Sequence, residues 1–230
     1  VKAVSPQIVI HMAAQSLVID SYANPKFNFE TNINGVLNLL LLQKKLRKKF
    51  IILVVTSDKC YLNNGNDELK ENSPLGGDDP YSASKACAEI LSNSFRKSFN
   101  LPIITARAGN VIGGGDWAND RLIPDVLRAI ESGQSIKIRN PNATRPWQHV
   151  LDPLNGYLLL AEKLYTKGLD FAEAFNFGPA EEDVKPVHWI VEKLIENLDD
   201  RINWHLDGDI CHHEANLLKL DCSKARILLG

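Results

Sequence analysis

Residues 50–59 read FIILVVTSDK, a continuous apolar run that ends in polar side chains. An uninterrupted run of this kind is typical of a strand in a parallel sheet that is covered on both faces. Two further runs have the same character, one from Pro102 to Ala106 and one at Ile8-Val9-Ile10, within a predicted buried strand from Val4 to Ala14. Because helical stretches separate the runs, we predict right-handed βαβ units and a doubly wound parallel α/β sheet.

The segments between and after these runs carry helix signals. The stretch from Phe29 to Lys49 has an apolar side and a basic C-terminal turn, which suits the helix dipole. Asp78-Asp79-Pro80 is a sound helix start before a helix from Tyr81 to Phe99. Further helices are predicted over residues 122–132, 153–165 and 187–197, and a strand over residues 174–177.

The bulk composition excludes several classes of function. A net charge of -2 leaves no basic excess to neutralise phosphates, so nucleic acid is not an expected partner. No apolar run reaches the ~18 residues that a membrane span needs. Six scattered histidines show no metal-ligand spacing, so no metal site is predicted. Four cysteines without a CxxC pair indicate reduced thiols in a cytoplasmic protein: Cys60, Cys87, Cys211 and Cys222.

Two short strings carry the candidate chemistry. Ser57-Asp58-Lys59 follows the central strand, and Tyr81 and Lys85 lie one turn apart at the start of a helix. In an open α/β sheet, ligands bind at the carboxyl ends of the strands, and polar groups there are costly to bury without a task. An ordinary exposed Tyr/Lys pair is the alternative interpretation. The context favours a catalytic site.

Other strings lie at the same edge of the predicted sheet. Small residues after the first strand, Ala13-Ala14-Gln15, would let a flat cofactor approach the backbone, although a tight strand–helix turn is the alternative. Asn110 ends the third strand, where it could hold a phosphate or a sugar. Arg145 beside Trp147 suits a diphosphate and a ring, while a surface arginine and a core tryptophan remain the alternative.

Together these strings resemble the extended short-chain dehydrogenases/reductases, the NAD-dependent epimerase/dehydratase family, over almost the whole chain. Within that family, four strings are similar to the branch that dehydrates CDP-glucose: TSDKCY (56–61), RAGNVIGGGDW (107–117), DRLIP (120–124) and RNP…RPWQHV (139–150). The resemblance implies an NAD-dependent lyase that converts CDP-glucose to CDP-4-keto-6-deoxyglucose. Another nucleotide-sugar dehydratase or epimerase of the same family remains open.

The resemblance also implies a role for each catalytic residue. Tyr81, with its pKa lowered by Lys85 and the nicotinamide charge, takes the proton of the C4 hydroxyl, and Ser57 hydrogen-bonds the C4 oxygen. Asp58 is expected to be the acid toward the departing C6 hydroxyl, and Lys59 the base at C5. The related dTDP-glucose enzymes place Asp-Glu at this point, so the Asp-Lys pair favours the CDP-glucose branch.

Further site residues follow from the same resemblance. Those expected to bind NAD are Ala13, Ala14, Gln15, Asn32, Thr56, Tyr81 and Lys85. Those expected to bind CDP-glucose are Asn110, Asp116, Trp117, Arg121, Leu122, Arg145, His149 and Glu214. A homodimer built on the helices that start near Phe29 and Tyr81 is expected as well.

The family's glycine-rich phosphate-binding turn has no counterpart in these 230 residues. We expect it upstream of Val1, with roughly 70 residues of a truncated dinucleotide-binding fold. Residues 1–110 are then the remainder of an NAD-binding Rossmann-like domain that lacks its first strands. Residues 111–230 mainly form a smaller, interleaved α/β substrate lobe, with about 171–179 returning to the main sheet. A non-catalytic fragment that binds only a nucleotide sugar or a partner subunit is the alternative function.

Overall fold

The computed structural model of the chain describes residues 3–46, 50–62, 68–198, 202–207 and 218–230. Its strands are β1 (Ile8–His11), β2 (Ile51–Val55), β3 (Ile103–Ala108), β4 (Val111–Ile112), β5 (Ile136–Ile138), β6 (Thr144–Pro146), β7 (Gln148–His149), β8 (Ala174–Phe177), β9 (Val184–Pro186) and β10 (Trp204–Leu206). Its α-helices are α1 (Val18–Ala23), α2 (Pro25–Phe29), α3 (Gly35–Lys45), α4 (Pro80–Phe99), α5 (Leu122–Glu131), α6 (Leu151–Lys167), α7 (Val187–Leu198) and α8 (Ser223–Leu229).

The main sheet is parallel and has the strand order β1-β2-β3-β8. Ile52 of β2 lies beside Ile103 of β3, and Thr105 of β3 lies beside Ala174 of β8. The predicted parallel α/β fold is therefore confirmed. β2 and β3 lie in the centre, so the residues that follow them occupy the middle of the carboxyl edge.

The first strand is shorter and less buried than predicted. It covers four residues rather than the predicted span from Val4 to Ala14, and Ile8 is 38% exposed. Ser5 has a positive φ of 47° and Pro6 follows it, so the chain turns before the strand begins. Within the described sheet β1 pairs with β2 only, which leaves its other side accessible.

Helices cover both faces of the sheet. On one face, Val36 and Leu40 of α3 and Ala88 of α4 pack with Ile52 and Ile103. On the other face, α6 and α8 pack against the alternate strand residues: Ile51, Leu53, Ile104 and Phe175. Successive strand residues point to opposite faces, which is why apolar side chains are needed at every position of β2.

The predicted helix from Phe29 to Lys49 is interrupted. α2 ends at Phe29, a π-helical turn covers Glu30–Asn34, and α3 continues from Gly35 to Lys45. The wider turn buries Asn32, which is 3% exposed. Single π-turns inside helices often mark functional sites. The predicted helices over 81–99, 122–132, 153–165 and 187–197 are confirmed to within two residues at each end.

A smaller cluster lies beyond the sheet. Val126 of α5, Ile136 and Ile138 of β5 and Val191 of α7 form its core, and β5 pairs with β10. β6 pairs with β9, and β4 pairs with β7, so short ribbons connect this cluster to the edge of the main sheet. None of the helices in the described ranges has both the length and the apolar character to cross a bilayer.

Candidate active site

The end of β2 meets the start of α4. After Val55, the chain continues through Thr56 and Ser57 into a 3-10 turn at Asp58–Cys60, and the Ser57 hydroxyl accepts a hydrogen bond from the Lys59 N–H at 3.2 Å. Asp79 caps α4 by accepting from the Ser82 N–H at 2.9 Å, which places Tyr81 in the first turn. Ser57 lies close enough to the Tyr81 phenol for a side-chain hydrogen bond that lowers the pKa of the tyrosine.

Tyr81 and Lys85 are both buried on the inner face of α4, with exposed fractions of 8% and 6%. Burial raises the pKa of Tyr81 to about 12, against the opposing effect of the Ser57 hydrogen bond. In the chain by itself the loss of hydration outweighs the favourable contacts of the phenol, and the lowering of this pKa by Lys85 and the nicotinamide charge stays a prediction.

The ammonium group of Lys85 is held beside the tyrosine. Its Nζ lies 5.8 Å from the centre of the Tyr81 ring and donates a hydrogen bond to the Val55 carbonyl at 3.2 Å. Burial lowers the pKa of Lys85 to about 8, because the charged form loses hydration. Lys85 can therefore change its charge close to neutral pH, which an exposed lysine cannot do.

Asp58 is the most confined acid of the site. It is 3% exposed, and its Oδ1 accepts a hydrogen bond from the Ser57 hydroxyl at 2.9 Å. Its Oδ2 is buried and has no hydrogen-bond partner within the described part of the chain. Burial raises the pKa of Asp58, although the charges of Lys59 and Arg145 and the Ser57 hydrogen bond oppose the shift. Asp58 therefore holds its proton to a higher pH than an exposed aspartate does, which is the direction that a general acid needs.

The loop after β1 lies beside this centre. Asn32 accepts a hydrogen bond from the Gln15 N–H at 2.8 Å, and its amide nitrogen donates to the Gln15 carbonyl at 3.0 Å and to the Ser84 hydroxyl at 2.9 Å. Gln15 and Ala14 are half-buried, whereas Ala13 is exposed. Asn32 was predicted to bind the cofactor, and the structure shows that it ties the loop to α4.

Like Asn32, Thr56 is a predicted cofactor-binding residue whose side chain makes hydrogen bonds inside the protein. Its hydroxyl donates to Glu89 Oε1 at 2.5 Å, so it turns toward α4 and the interior. The predicted cofactor contact of Thr56 is therefore not visible in its hydrogen bonding.

Two arginines bring positive charge to the site from the second half of the chain. Arg145 of β6 is 3% exposed and lowers the pKa of Asp58, while Arg121 lowers that of Tyr81. Arg121 also donates to the Ser16 hydroxyl at 2.9 Å, and its Nε lies 3.5 Å from Asp116 Oδ2. Tyr81, Asp58 and both guanidinium groups thus converge on one region.

The other predicted substrate residues lie farther from this convergence or make other contacts. Trp117 is 72% exposed, and Leu122 is half-buried at the start of α5. The Asn110 carbonyl accepts from the Gln148 N–H at 2.9 Å. His149 is exposed and lines a cavity of about 450 Å³ together with Trp147 and Trp189. Glu214 lies outside the described residues.

Sequence reasoning missed a buried polar network under the site. Glu89 of α4 forms an ion pair with Arg107 of β3 at 2.7 Å, and the two side chains are 2% and 4% exposed. Arg107 also donates to the Tyr61 hydroxyl at 2.7 Å, which donates to Asn176 Oδ1 at 2.6 Å. Two signals were present: an acid four residues after Lys85 on the buried side of α4, and an arginine inside an apolar strand.

Comparison with known proteins gives consistent matches. The family described as GDP-mannose 4,6 dehydratase matches residues 1–226. The CDP-glucose 4,6-dehydratase of Salmonella typhimurium is 50% identical over 98% of this chain, which spans 66% of that protein's length. A dTDP-D-glucose 4,6-dehydratase of Dictyostelium discoideum is 32% identical over 71% of this chain and 41% of its own.

A solved structure shows the same fold. The dTDP-glucose 4,6-dehydratase of Streptomyces venezuelae, crystallised with NAD and a second ligand bound, superposes on this chain with a TM-score of 0.84. Its sequence is 22% identical, and the match covers 98% of this chain and 68% of that one.

Proposed function

We propose that the buried centre of this chain catalyses the NAD-dependent 4,6-dehydration of a nucleotide sugar, because the chain belongs to the GDP-mannose 4,6 dehydratase family. The observation that carries the proposal is the Ser57 hydroxyl, which lies beside the Tyr81 phenol and donates to the buried carboxyl of Asp58 at 2.9 Å. This set contains both a group for the C4 hydroxyl and an acid for the leaving oxygen, which a 4,6-dehydration needs.

The residues present fit the nicotinamide end of NAD. Ala13 and Ala14 form a small-residue strip that Asn32 fixes against α4, and Lys85 lies under the same edge. When bound, NAD supplies the acceptor for the C4 hydride and the donor of the same hydride to C6. We expect the loop to orient the ring and Lys85 to hold the adjacent ribose.

In the oxidation half, Tyr81 takes the proton from the C4 hydroxyl, and the Ser57 hydroxyl hydrogen-bonds the C4 oxygen. Burial raises the pKa of Tyr81 to about 12 even against the opposing effects of Ser57 and Arg121, so the phenol needs further positive charge nearby to work as a base. Arg121 already acts in this direction, and the charged form of Lys85 lies on the same helix face.

In the elimination half, the 4-keto group acidifies the C5–H bond. Lys59 in its uncharged amine form takes the C5 proton and becomes the ammonium, and Asp58 donates its own proton to the C6 hydroxyl, which leaves as water. The unpartnered Oδ2 of Asp58 and its raised pKa support the role of acid. Lys59 is half-buried beside Asp58, so the two groups can exchange a proton at the end of the cycle.

CDP-glucose is the proposed substrate, and CDP-4-keto-6-deoxyglucose is the product. The proposal rests on the 50% identity with the Salmonella CDP-glucose enzyme and on the Asp58-Lys59 pair. Arg145 and Arg121 are suited to the diphosphate, because a guanidinium binds phosphate oxygens in a bidentate manner.

We further propose a homodimer through α2, α3 and α4. Each of these helices exposes a large apolar side chain: Phe27 (54%), Leu41 (38%) and Ile90 (56%). Light scattering at several concentrations measures the mass, and Ile90→Lys should shift it to the monomer value. A monomer in both proteins would contradict this proposal.

The test is an assay with CDP-glucose and added NAD that follows the ~320 nm absorbance of the 4-keto-6-deoxy product in alkali, an assay that reports the proposed acid–base chemistry. The chain is assayed alone and with whatever residues its gene encodes before Val1. We expect product that disappears in Tyr81→Phe and persists in Tyr165→Phe, a matched change at an exposed tyrosine of α6. Absence of product from every form would overturn the dehydratase proposal.

A further inference from the structure

The carboxylate of Glu89 lies at the junction of the two elements that carry the catalytic groups. Glu89 is on α4, four residues after Lys85 and eight after Tyr81, so all three lie on the buried side of the helix. Its side chain is 2% exposed. No step of the proposed reaction uses it, so its burial needs another explanation.

Three hydrogen bonds hold this carboxylate. Oε1 accepts from the Thr56 hydroxyl at 2.5 Å, and Oε2 accepts from the Thr105 hydroxyl at 2.8 Å and from Arg107 Nη2 at 2.7 Å. The guanidinium of Arg107 compensates the buried negative charge. Both oxygens are thus occupied, and the carboxylate links α4 to β2 and β3 at a fixed distance.

The link to Thr56 is the important one for the site. Thr56 directly precedes Ser57, whose hydroxyl must lie against Tyr81 for the proposed chemistry. We propose that Glu89 is the positioning residue of this centre: its carboxylate fixes the end of β2 that carries Ser57 to the helix that carries Tyr81 and Lys85. The catalytic consequence rests on the proposed function, whereas the geometric link does not.

Glu89 also acts on Lys85 through its charge. The groups that face Lys85 are Glu89 from its own helix, Cys60 from the turn after β2 and His11 from β1. Burial lowers the pKa of Lys85 to about 8, and the charge of Glu89 opposes that shift, whereas burial raises the pKa of the Cys60 thiol and keeps it neutral at this pH. Removal of the Glu89 charge should therefore move the titration of Lys85 to a still lower pH.

A purely structural role makes a different prediction. Thr56→Val and Thr105→Val each remove one hydroxyl that donates a hydrogen bond to the Glu89 carboxylate. Both threonines are buried, with an exposed fraction of 6% for Thr56 and 0% for Thr105. If Glu89 only stabilises the fold, the two variants should behave alike. If it positions Ser57, Thr56→Val alone should impair turnover.

The experiment compares both variants with the unmodified chain. We expect similar falls in Tm, a kcat that drops about 10- to 100-fold in Thr56→Val, and a kcat within about twofold in Thr105→Val. The dissociation constant of NAD should stay unchanged in Thr56→Val, which separates positioning from a direct cofactor contact. Equal kcat values in the two variants, or a weakened NAD affinity that accounts for the loss, would overturn the inference.

A second readout does not depend on activity. The chain is labelled with ¹³C-lysine, the Lys85 signal is assigned with Lys85→Arg, and its titration is followed by NMR in the unmodified chain and in Glu89→Gln. We expect the midpoint to fall by about one pH unit in Glu89→Gln and to stay in place in Thr105→Val. An unchanged midpoint in folded Glu89→Gln would overturn the effect of the Glu89 charge on Lys85, and equal kcat values in the two threonine variants would overturn the positional link. An inactive unmodified chain would count against the proposed function only, because the titration is measured without turnover.

Discussion

Asp58→Asn should stabilise the protein at neutral pH and abolish dehydration. The carboxyl is 3% exposed, and its Oδ2 lacks a hydrogen-bond partner within the described residues. Leaving a buried polar group unsatisfied costs about 1–3 kcal/mol, and a charge increases this cost. A neutral amide of the same shape relieves the charge-dependent part. The charge-dependent part amounts to about 1.4 kcal/mol for each tenfold difference in proton affinity between the folded and unfolded states. At about 3 °C per kcal/mol for a chain of this size, the expected rise in Tm is about 4 °C for each tenfold difference.

The pH dependence has a definite sign. Burial raises the pKa of Asp58 above its ordinary value of 3.8, so the folded state binds this proton more tightly than the unfolded state. The destabilisation by Asp58 is fully present above the folded-state pKa and is absent below the unfolded-state pKa. The difference in Tm between Asp58→Asn and the unmodified chain should therefore shrink as the pH falls from 7 toward 4.

The assay is thermal unfolding followed by circular dichroism at several pH values, with turnover measured on the same samples. Asp221→Asn is the matched control with the opposite sign. Hydrogen bonds from Ser223 lower the pKa of Asp221, so this acid stabilises the fold above its ordinary pKa, and its replacement should lower Tm at pH 7. A lower Tm in Asp58→Asn at pH 7, or a rise that is equal at pH 4 and pH 7, would refute the reasoning.

Three further predictions concern the residues around this acid. Tyr81→Phe should lower kcat by about 100-fold or more, since it removes the proposed base; near-normal turnover of CDP-glucose would exclude Tyr81 from that role. Asn32→Ala removes two hydrogen bonds to Gln15 and one to Ser84 of α4, so urea denaturation should show a loss of about 1–3 kcal/mol. An unchanged midpoint would show that the loop is held by other contacts. Because burial lowers the pKa of Lys85 to about 8, kcat should decline above that pH as the ammonium is lost. A decline that persists unchanged in Lys85→Arg, which keeps its charge, would assign this limb to another group.

Much of the fold could be predicted because its local signals agree. The run FIILVVTSDK is apolar on both faces, and β2 is buried between two helical layers as that pattern requires. The start of α4 was visible in Asp79 and Pro80, since both the cap and the first turn are local features. The π-turn at Glu30–Asn34 was not visible, because the wider turn depends on the buried contacts of Asn32, which a sequence pattern does not reveal.

The sequence allowed the residues of the candidate site to be predicted, but not the pKa values of their side chains. Ser57 and Tyr81 meet because their elements end at the same edge of the sheet, a consequence of topology. The pKa of Tyr81 depends on how completely the phenol is buried, which one sequence does not reveal. Glu89 and Arg107 were missed for a related reason: charged residues suggest solvent until the structure shows them facing each other at 2.7 Å.

The central claim is tested most directly by the fate of the hydrogen at C4. CDP-glucose that carries deuterium at C4 is incubated with the protein and NAD, and the product is analysed by mass spectrometry and NMR. The account predicts CDP-4-keto-6-deoxyglucose with the deuterium at C6, since the hydride that is removed from C4 is transferred to C6 after water is lost. A product that retains deuterium at C4, or one that has lost it to solvent, would contradict the account.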